Sequence, residues 1–179
     1  MPMRVVDPVG DDFDAFVRAR WTATARLAYA LTLDHQKAED LAQEAFTKLW
    51  FHWRKIRAES PEGYLRRIVT TVFLSGARRR WSAERPTDQP PDQAVDPVTG
   101  QVDDRLALRQ AMARLSPRQR AAVYLRYFED LPEKTVADLL GCSVGSVKQH
   151  VRRGLDALRH DIDFATPERL ASVAGKEMA

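Results

Sequence analysis

Apolar side chains in the first half of the chain recur at three- and four-residue intervals, the spacing that lines one face of a helix. Phe13, Phe16, Val17, Trp21, Leu27 and Leu31 form the first stripe. Ala38, Leu41, Ala42, Ala45, Phe46, Leu49, Trp50 and Trp53 form the second, with Asp34 placed to cap its start. A third helix is predicted to begin at Ser60-Pro61, serine as cap and proline at the first helical position, where its missing amide hydrogen costs nothing. It carries Tyr64, Leu65, Ile68, Val69, Val72 and Phe73 inward and ends in Arg78-Arg79-Arg80-Trp81. Three such stripes can close one helical core.

The second half repeats the theme with shorter elements. Leu106, Ala107, Met112 and Leu115 line a helix that stops at Ser116-Pro117. Ser116 and Gln119 form a capping-box pattern for the next helix, which runs through Val123 and Leu125 to about Phe128. Leu131-Pro132 opens a short helix carrying Val136, Leu139 and Leu140, and Gly141 suits the left-handed position at its end. Ser143 can then cap a last helix with Val144, Val147, Val151, Leu155 and Leu158 inward. The tail, 161–179, holds one more helix-start signal at Thr166-Pro167-Glu168.

Between the two halves the periodicity fails. Residues 83–104 contain Pro86, Pro90, Pro91 and Pro97, and their apolar side chains are scattered singles. Proline removes amide donors and fixes φ, so neither a helix nor a central strand fits this stretch. It reads as a linker; in a polyproline-like form it would reach roughly 70 Å. The predicted fold class is therefore all-α: two small helical domains, 1–82 and 105–160, joined by a Pro-rich linker at 83–104, with a C-terminal tail at 161–179.

Composition narrows the class. The chain has 179 residues, 44% hydrophobic and 30% charged, an ordinary folded composition. No apolar run approaches the ~20 residues of a membrane span, and the acidic stretch Met1–Asp14 lacks a secretory signal pattern. One cysteine, Cys142, excludes an internal disulfide framework and fits a reducing cytoplasm. His35, His52, His150 and His160 show no metal-ligand spacing. No phosphate loop, nucleophile elbow or paired catalytic carboxylate pattern appears, so neither a cofactor nor an enzymatic activity is expected.

Charge changes the picture more. The formal net charge is +3. It is distributed in blocks: residues 54–82 hold eight basic and two acidic side chains, residues 105–160 eleven and five, and the strip 83–104 between them one and six. Basic blocks of this kind suit phosphate backbones, and equally serve as solvated faces. The segment from Pro132 to Leu158 sharpens the choice. A short helix, a turn at Gly141-Cys142-Ser143 and a second amphipathic helix are the parts of a helix-turn-helix. The outer face of that second helix carries Gly145, Ser146, Lys148, Gln149, Arg152 and Arg153. Lys148 and Arg152 can reach guanine edges, and Gln149 can pair with adenine. A helical hairpin with a solvated basic face has the same pattern.

Three ordered blocks resolve the ambiguity. The run from Ala38-Glu39-Asp40 to Leu49-Trp50, the run Pro61-Glu62-Gly63-Tyr64-Leu65-Arg66-Arg67-Ile68-Val69 closing in Arg78-Arg79-Arg80, and the run from Leu115-Ser116-Pro117 to Gly145-Ser146-Val147-Lys148 together resemble an extracytoplasmic-function sigma factor of the bacterial sigma-70 family. The likeness spans roughly residues 10–160; the strip before Arg105 matches only in character.

The resemblance implies roles. Glu39, Asp40, Gln43, Glu44 and Thr47 would dock on the beta-prime coiled coil of core RNA polymerase, and the second domain would sit near its beta flap. Arg54, Lys55, Arg57, Arg66, Arg67, Thr71, Arg78, Arg79 and Arg80 would hold melted minus-ten DNA. Ser143, Gly145, Ser146, Lys148, Gln149, Arg152 and Arg153 would read the minus-thirty-five element. Promoter DNA and an anti-sigma factor are the further implied partners. Thr71 stands where the family often has asparagine, Ser75 where aspartate is common and His150 where arginine is usual. The competing classes are a stand-alone helix-turn-helix regulator, which would bind duplex DNA as a dimer, and a protein-binding adaptor.

Overall fold

The computed structural model describes residues 8–83 and 101–161. Among these residues every regular element is a helix: α1 (Pro8–Thr32), α2 (His35–Trp50), α3 (Trp53–Ile56), α4 (Pro61–Ala83), α5 (Gln101–Arg114), α6 (Pro117–Tyr127), α7 (Glu133–Leu140) and α8 (Val144–Asp161). The chain divides into two compact units between Phe73 and Leu74, within α4.

In the first unit α1 and α2 pack as a hairpin. The connection is tight because Leu33 takes a left-handed conformation, φ 56°, and Asp34 then caps α2 by accepting the Lys37 N–H at 3.0 Å. That backbone hydrogen bond holds the Asp34 carboxyl below the usual carboxylate range. Leu27, Ala28 and Leu31 of α1 and Leu41, Ala42, Ala45, Phe46 and Leu49 of α2 are buried. An aromatic cluster extends this core, with Phe13 and Phe16 of α1 each 4.9–5.1 Å from Trp53 or Trp50. Helix α4 begins at Pro61 as expected and buries Leu65, Val69, Thr70 and Phe73. The Thr70 hydroxyl is satisfied within the helix, donating to the Arg66 carbonyl at 2.9 Å. Arg20 of α1 forms an ion pair with Glu62 in the first turn of α4.

The second unit is organised by carbonyl capping. Ser116 and Gln119 form the complete capping box at the start of α6. Arg120 then turns back on α5, donating to the carbonyls of Met112, Ala113 and Leu115 at 2.9–3.3 Å. Burial pushes its pKa down to about 10, so the guanidinium remains charged at neutral pH. Arg118 donates to the Leu140 carbonyl at 3.2 Å, tying α6 to the end of α7. The core is Ala121–Leu125 of α6, Val136, Ala137, Leu139 and Leu140 of α7, and Val147, Leu155 and Leu158 of α8.

Several expectations from the apolar pattern need correction. The second stripe does not run unbroken to Trp53: α2 ends at Trp50, and a separate one-turn helix, α3, buries Trp53 and Ile56. Trp50, assigned inward, is 42% exposed, and so is Val144 at 38%. Both sit at a helix end, where only one side is covered by packing. Helix α5 begins at Gln101, inside the stretch expected to be non-helical, and Ala83 still belongs to α4. The acidic strip between, and the expected short helix after residue 161, lie outside the described residues.

Gly154 is the tightest of the described glycine positions in the second unit. A Cβ there would stand 2.7 Å from Val123 Cγ2, against 3.4 Å or more for an ordinary contact. Gly154→Ala should destabilise the protein by about 1–3 kcal/mol through overpacking. Gly145→Ala, whose Cβ would meet nothing nearer than 3.8 Å, should leave stability unchanged or slightly raised. Urea unfolding followed by circular dichroism measures both.

Candidate nucleic-acid and polymerase interfaces

The helix-turn-helix is built by local backbone chemistry. Gly141 ends α7 at φ 61°, ψ 44°, donating its N–H to the Ala137 carbonyl, and Cys142 donates to the same oxygen at 3.1 Å. A Cβ at Gly141 would meet nothing within 4 Å, so glycine is favoured here by the dihedral and not by space. Ser143 caps α8, its hydroxyl oxygen accepting the Ser146 N–H at 3.1 Å and lying 2.9 Å from Ser146 Oγ. With Val147, Gly154, Leu155 and Leu158 buried, the helical period turns Lys148, Gln149, Arg152 and Arg153 to solvent together. Ser143 and Gly145 are also exposed, and Ser146 is half-buried. The seven residues expected to read DNA thus form one continuous surface on the turn and the outer side of α8.

His150 lies at the edge of that surface, half-buried. Burial first, then the positive charges of Arg118 and Arg153, lower its pKa below the usual histidine value. It is therefore neutral at pH 7 in the free protein. Cys142 is a half-buried free thiol in the turn.

In the first unit, Glu39, Asp40, Gln43, Glu44 and Thr47 are all exposed on the side of α2 opposite its core. They are partly engaged with one another and with a neighbouring lysine: Gln43 donates to Glu39 at 3.4 Å, Thr47 to the Gln43 carbonyl at 2.8 Å, and Lys48 pairs with Glu44 at 3.1 Å. The basic residues are more dispersed. Arg54 and Lys55 are exposed on α3, and Arg57 just beyond it pairs with Asp12 at 3.3 Å. Arg67 and Thr71, one turn apart on α4, are exposed, whereas Arg66 is half-buried. Arg78 and Arg79 are exposed beyond the division between the units, and the Arg80 side chain lies outside those described.

The apolar pattern missed one feature of this region. Phe51 is 78% exposed, and with Val9, Trp50, Trp53 and Arg54 it lines a groove of about 250 Å³. Trp53 is itself buried, and its indole Nε1 has no hydrogen-bond partner. For Phe51 the signal was available: if Phe46, Leu49 and Trp53 face the core, the helical period turns Phe51 to the opposite side, whereas Trp50 falls on the core face by period and is exposed because α2 ends there. Among the described residues no cluster of side chains could hold a metal ion, and no helix is long and apolar enough to cross a membrane.

Comparison with known proteins matches this architecture. Residues 16–83 match the family described as Sigma-70 region 2, and residues 105–158 match Sigma-70, region 4. The chain is 35% identical over 153 residues to the RNA polymerase sigma-E factor of Streptomyces avermitilis, covering 85% of this chain and 86% of that one. The chain belongs to the extracytoplasmic-function sigma factors of the sigma-70 family. The ECF RNA polymerase sigma factor SigE of Mycolicibacterium smegmatis is likewise 35% identical, over 87% of this chain and 65% of the relative. Among solved structures, the sigma factor RpoE from Bartonella quintana, in complex with the anti-sigma factor NepR, aligns with a TM-score of 0.66 and 26% identity over 83% of this chain and 95% of that one. The sigma factor fold and its role in transcription initiation follow from this membership.

The depressed pKa of His150 gives a pH signature with a definite sign. Neutral His150 contributes stability that is present above the unfolded histidine value of about 6.5 and is lost as pH falls below it. A DNA phosphate beside the ring would favour the protonated form, so binding takes up a proton. If DNA binds on this face, affinity for duplex DNA should rise as pH falls toward the acid side of neutrality, and His150→Gln should flatten that rise in a fluorescence-anisotropy titration.

Proposed function

We propose that this sigma factor divides its work between two modules, residues 1–82 and 105–160, each using one face prepared by its own packing. The observation that carries this reading is the shared outer face of α8, where Lys148, Gln149, Arg152 and Arg153 stand exposed on a helix whose opposite side is buried. Such a helix enters the major groove, where lysine or arginine donates to a guanine edge and glutamine pairs with an adenine edge. Ser143, Gly145 and Ser146 permit close approach of the phosphate backbone at its start.

The acidic outer face of α2, with Glu39, Asp40, Gln43, Glu44 and Thr47, serves as the docking surface for a basic partner, the beta-prime coiled coil of core polymerase. Arg54, Lys55, Arg57, Arg66, Arg67, Thr71, Arg78, Arg79 and Arg80 supply phosphate contacts to melted minus-ten DNA. The exposed Phe51 and Trp50 add aromatic faces beside Arg54, the pairing on which unstacked bases are held. Thr71 offers a single hydroxyl where an amide would make two directed contacts, so base preference at that point is weaker than an asparagine would give. The second module sits by the beta flap while bound to the minus-thirty-five element.

In this reading the chain carries no catalytic group of its own, and polymerase supplies the chemistry. It works in the cytoplasm, where that enzyme meets the chromosome. An anti-sigma protein is a natural partner by analogy with the complex of the Bartonella relative.

Purified chain, core RNA polymerase and a promoter library test the reading directly. Specific transcripts should appear only when chain and core are both present; duplex binding without polymerase would point to a stand-alone regulator instead. Lys148→Ala and Arg152→Ala should each weaken promoter binding and relax selectivity at one base pair by about 1–3 kcal/mol, measured with single-base variants of the recovered promoter.

A further inference from the structure

Lys148 does not stand alone on the outer face of α8. Its ammonium lies 3.6 Å from the Glu133 carboxylate, with the two side chains 64% and 39% exposed. Glu133 is the first residue of α7, whose cap, Pro132, offers no side-chain hydrogen bond. A carboxylate at that point also answers the partial positive charge of the helix start. Glu133 is therefore held between a helix terminus and the lysine expected to read a base.

We propose that Glu133 is a positioning and specificity-determining residue of the minus-thirty-five reader, an inference that rests on the assignment of α8 as that reader. A lysine ammonium is a hydrated point charge on a flexible stem, and by itself it takes a phosphate as readily as a guanine edge. Phosphate contacts give affinity without sequence information. Glu133 biases this choice in two ways. It draws the ammonium toward the α7–α8 junction, and it places a negative charge where a phosphate would otherwise settle. A guanine edge is compatible with the pair, because the ammonium has three donors and can hold the carboxylate with one while giving the others to O6 and N7. A phosphate in the same place brings anion against anion. The carboxylate therefore lowers binding to unrelated duplex more than binding to the cognate site, which is specificity obtained by repulsion. The exposure of both partners makes the pair a minor contributor to folding, so its removal leaves the helices in place.

The test uses the full chain bound to core polymerase, with two duplex probes: a promoter recovered from the transcription library and the same promoter with its minus-thirty-five element scrambled. Glu133→Gln should bind the scrambled probe about five-fold more tightly, the effect of one repelled unit charge near a surface. Binding to the intact promoter should change less than about two-fold, so selectivity falls. The plot of log affinity against log salt on the scrambled probe should steepen by about one, as Lys148 gains a phosphate. In a Lys148→Ala background that steepening should vanish, and Glu133→Asp, which keeps the charge, should retain low affinity for the scrambled probe. Unchanged scrambled-probe affinity and salt slope in Glu133→Gln would overturn the proposal while Lys148→Ala still loses selectivity. Equal loss on both probes would overturn it too, leaving Glu133 a purely structural residue. If the wild-type holoenzyme itself does not distinguish the probes, the assignment of α8 falls first.

Discussion

The burial of one side of α8 is the constraint on which the second unit depends. A helix holds one face steadily toward solvent only if its opposite face is anchored, because most helical stability in a protein comes from packing of the apolar side. Gly154 sets how closely α8 lies on α6, and Val147, Leu155 and Leu158 complete the contact. The same helix is thus apolar on one side and basic and exposed on the other. The first unit is built in a similar way at α2, where Leu41, Ala42, Ala45, Phe46 and Leu49 are buried and the acidic side is exposed.

Charge count and available charge are different quantities in this protein. Of the arginines in the second unit, Arg118, Arg120 and Arg126 each donate to backbone carbonyls that close a helix or a turn. Arg120 is largely buried, and its guanidinium donates to the carbonyls at the end of α5 and just beyond it. In the first unit Arg57 and Arg20 are engaged by Asp12 and Glu62. A block of basic residues in the sequence therefore combines cations engaged within the fold with cations turned to solvent, and only the fold separates them.

That distinction also marks how much was legible beforehand. Helix starts and stops were readable because their causes are local: Asp34, Ser116 with Gln119, Gly141 and Ser143 each act within a few residues of themselves. The outer face of α8 was readable for the same reason, since periodicity alone turns Lys148, Gln149, Arg152 and Arg153 together. What could not be read depended on contacts between elements. Nothing near Gly154 in the chain announces Val123, and nothing near Glu133 announces Lys148. The interruption at Phe51-His52 that separates α3 from α2 arises where the Phe13, Phe16 and Trp53 rings meet, a tertiary preference that overrides a continuous apolar stripe.

Two of the three arginine-to-carbonyl ties in the second unit are short-range in the chain. Arg126 reaches a carbonyl five residues away, Arg120 one eight residues away and Arg118 one twenty-two residues away. Wiring of this kind gives a low contact order, so few large loops must close before native interactions begin to reward the chain. The α5–α6 corner is held by capping and carbonyl contacts within a few residues, and α8, which packs on α5, α6 and α7, closes the core around it.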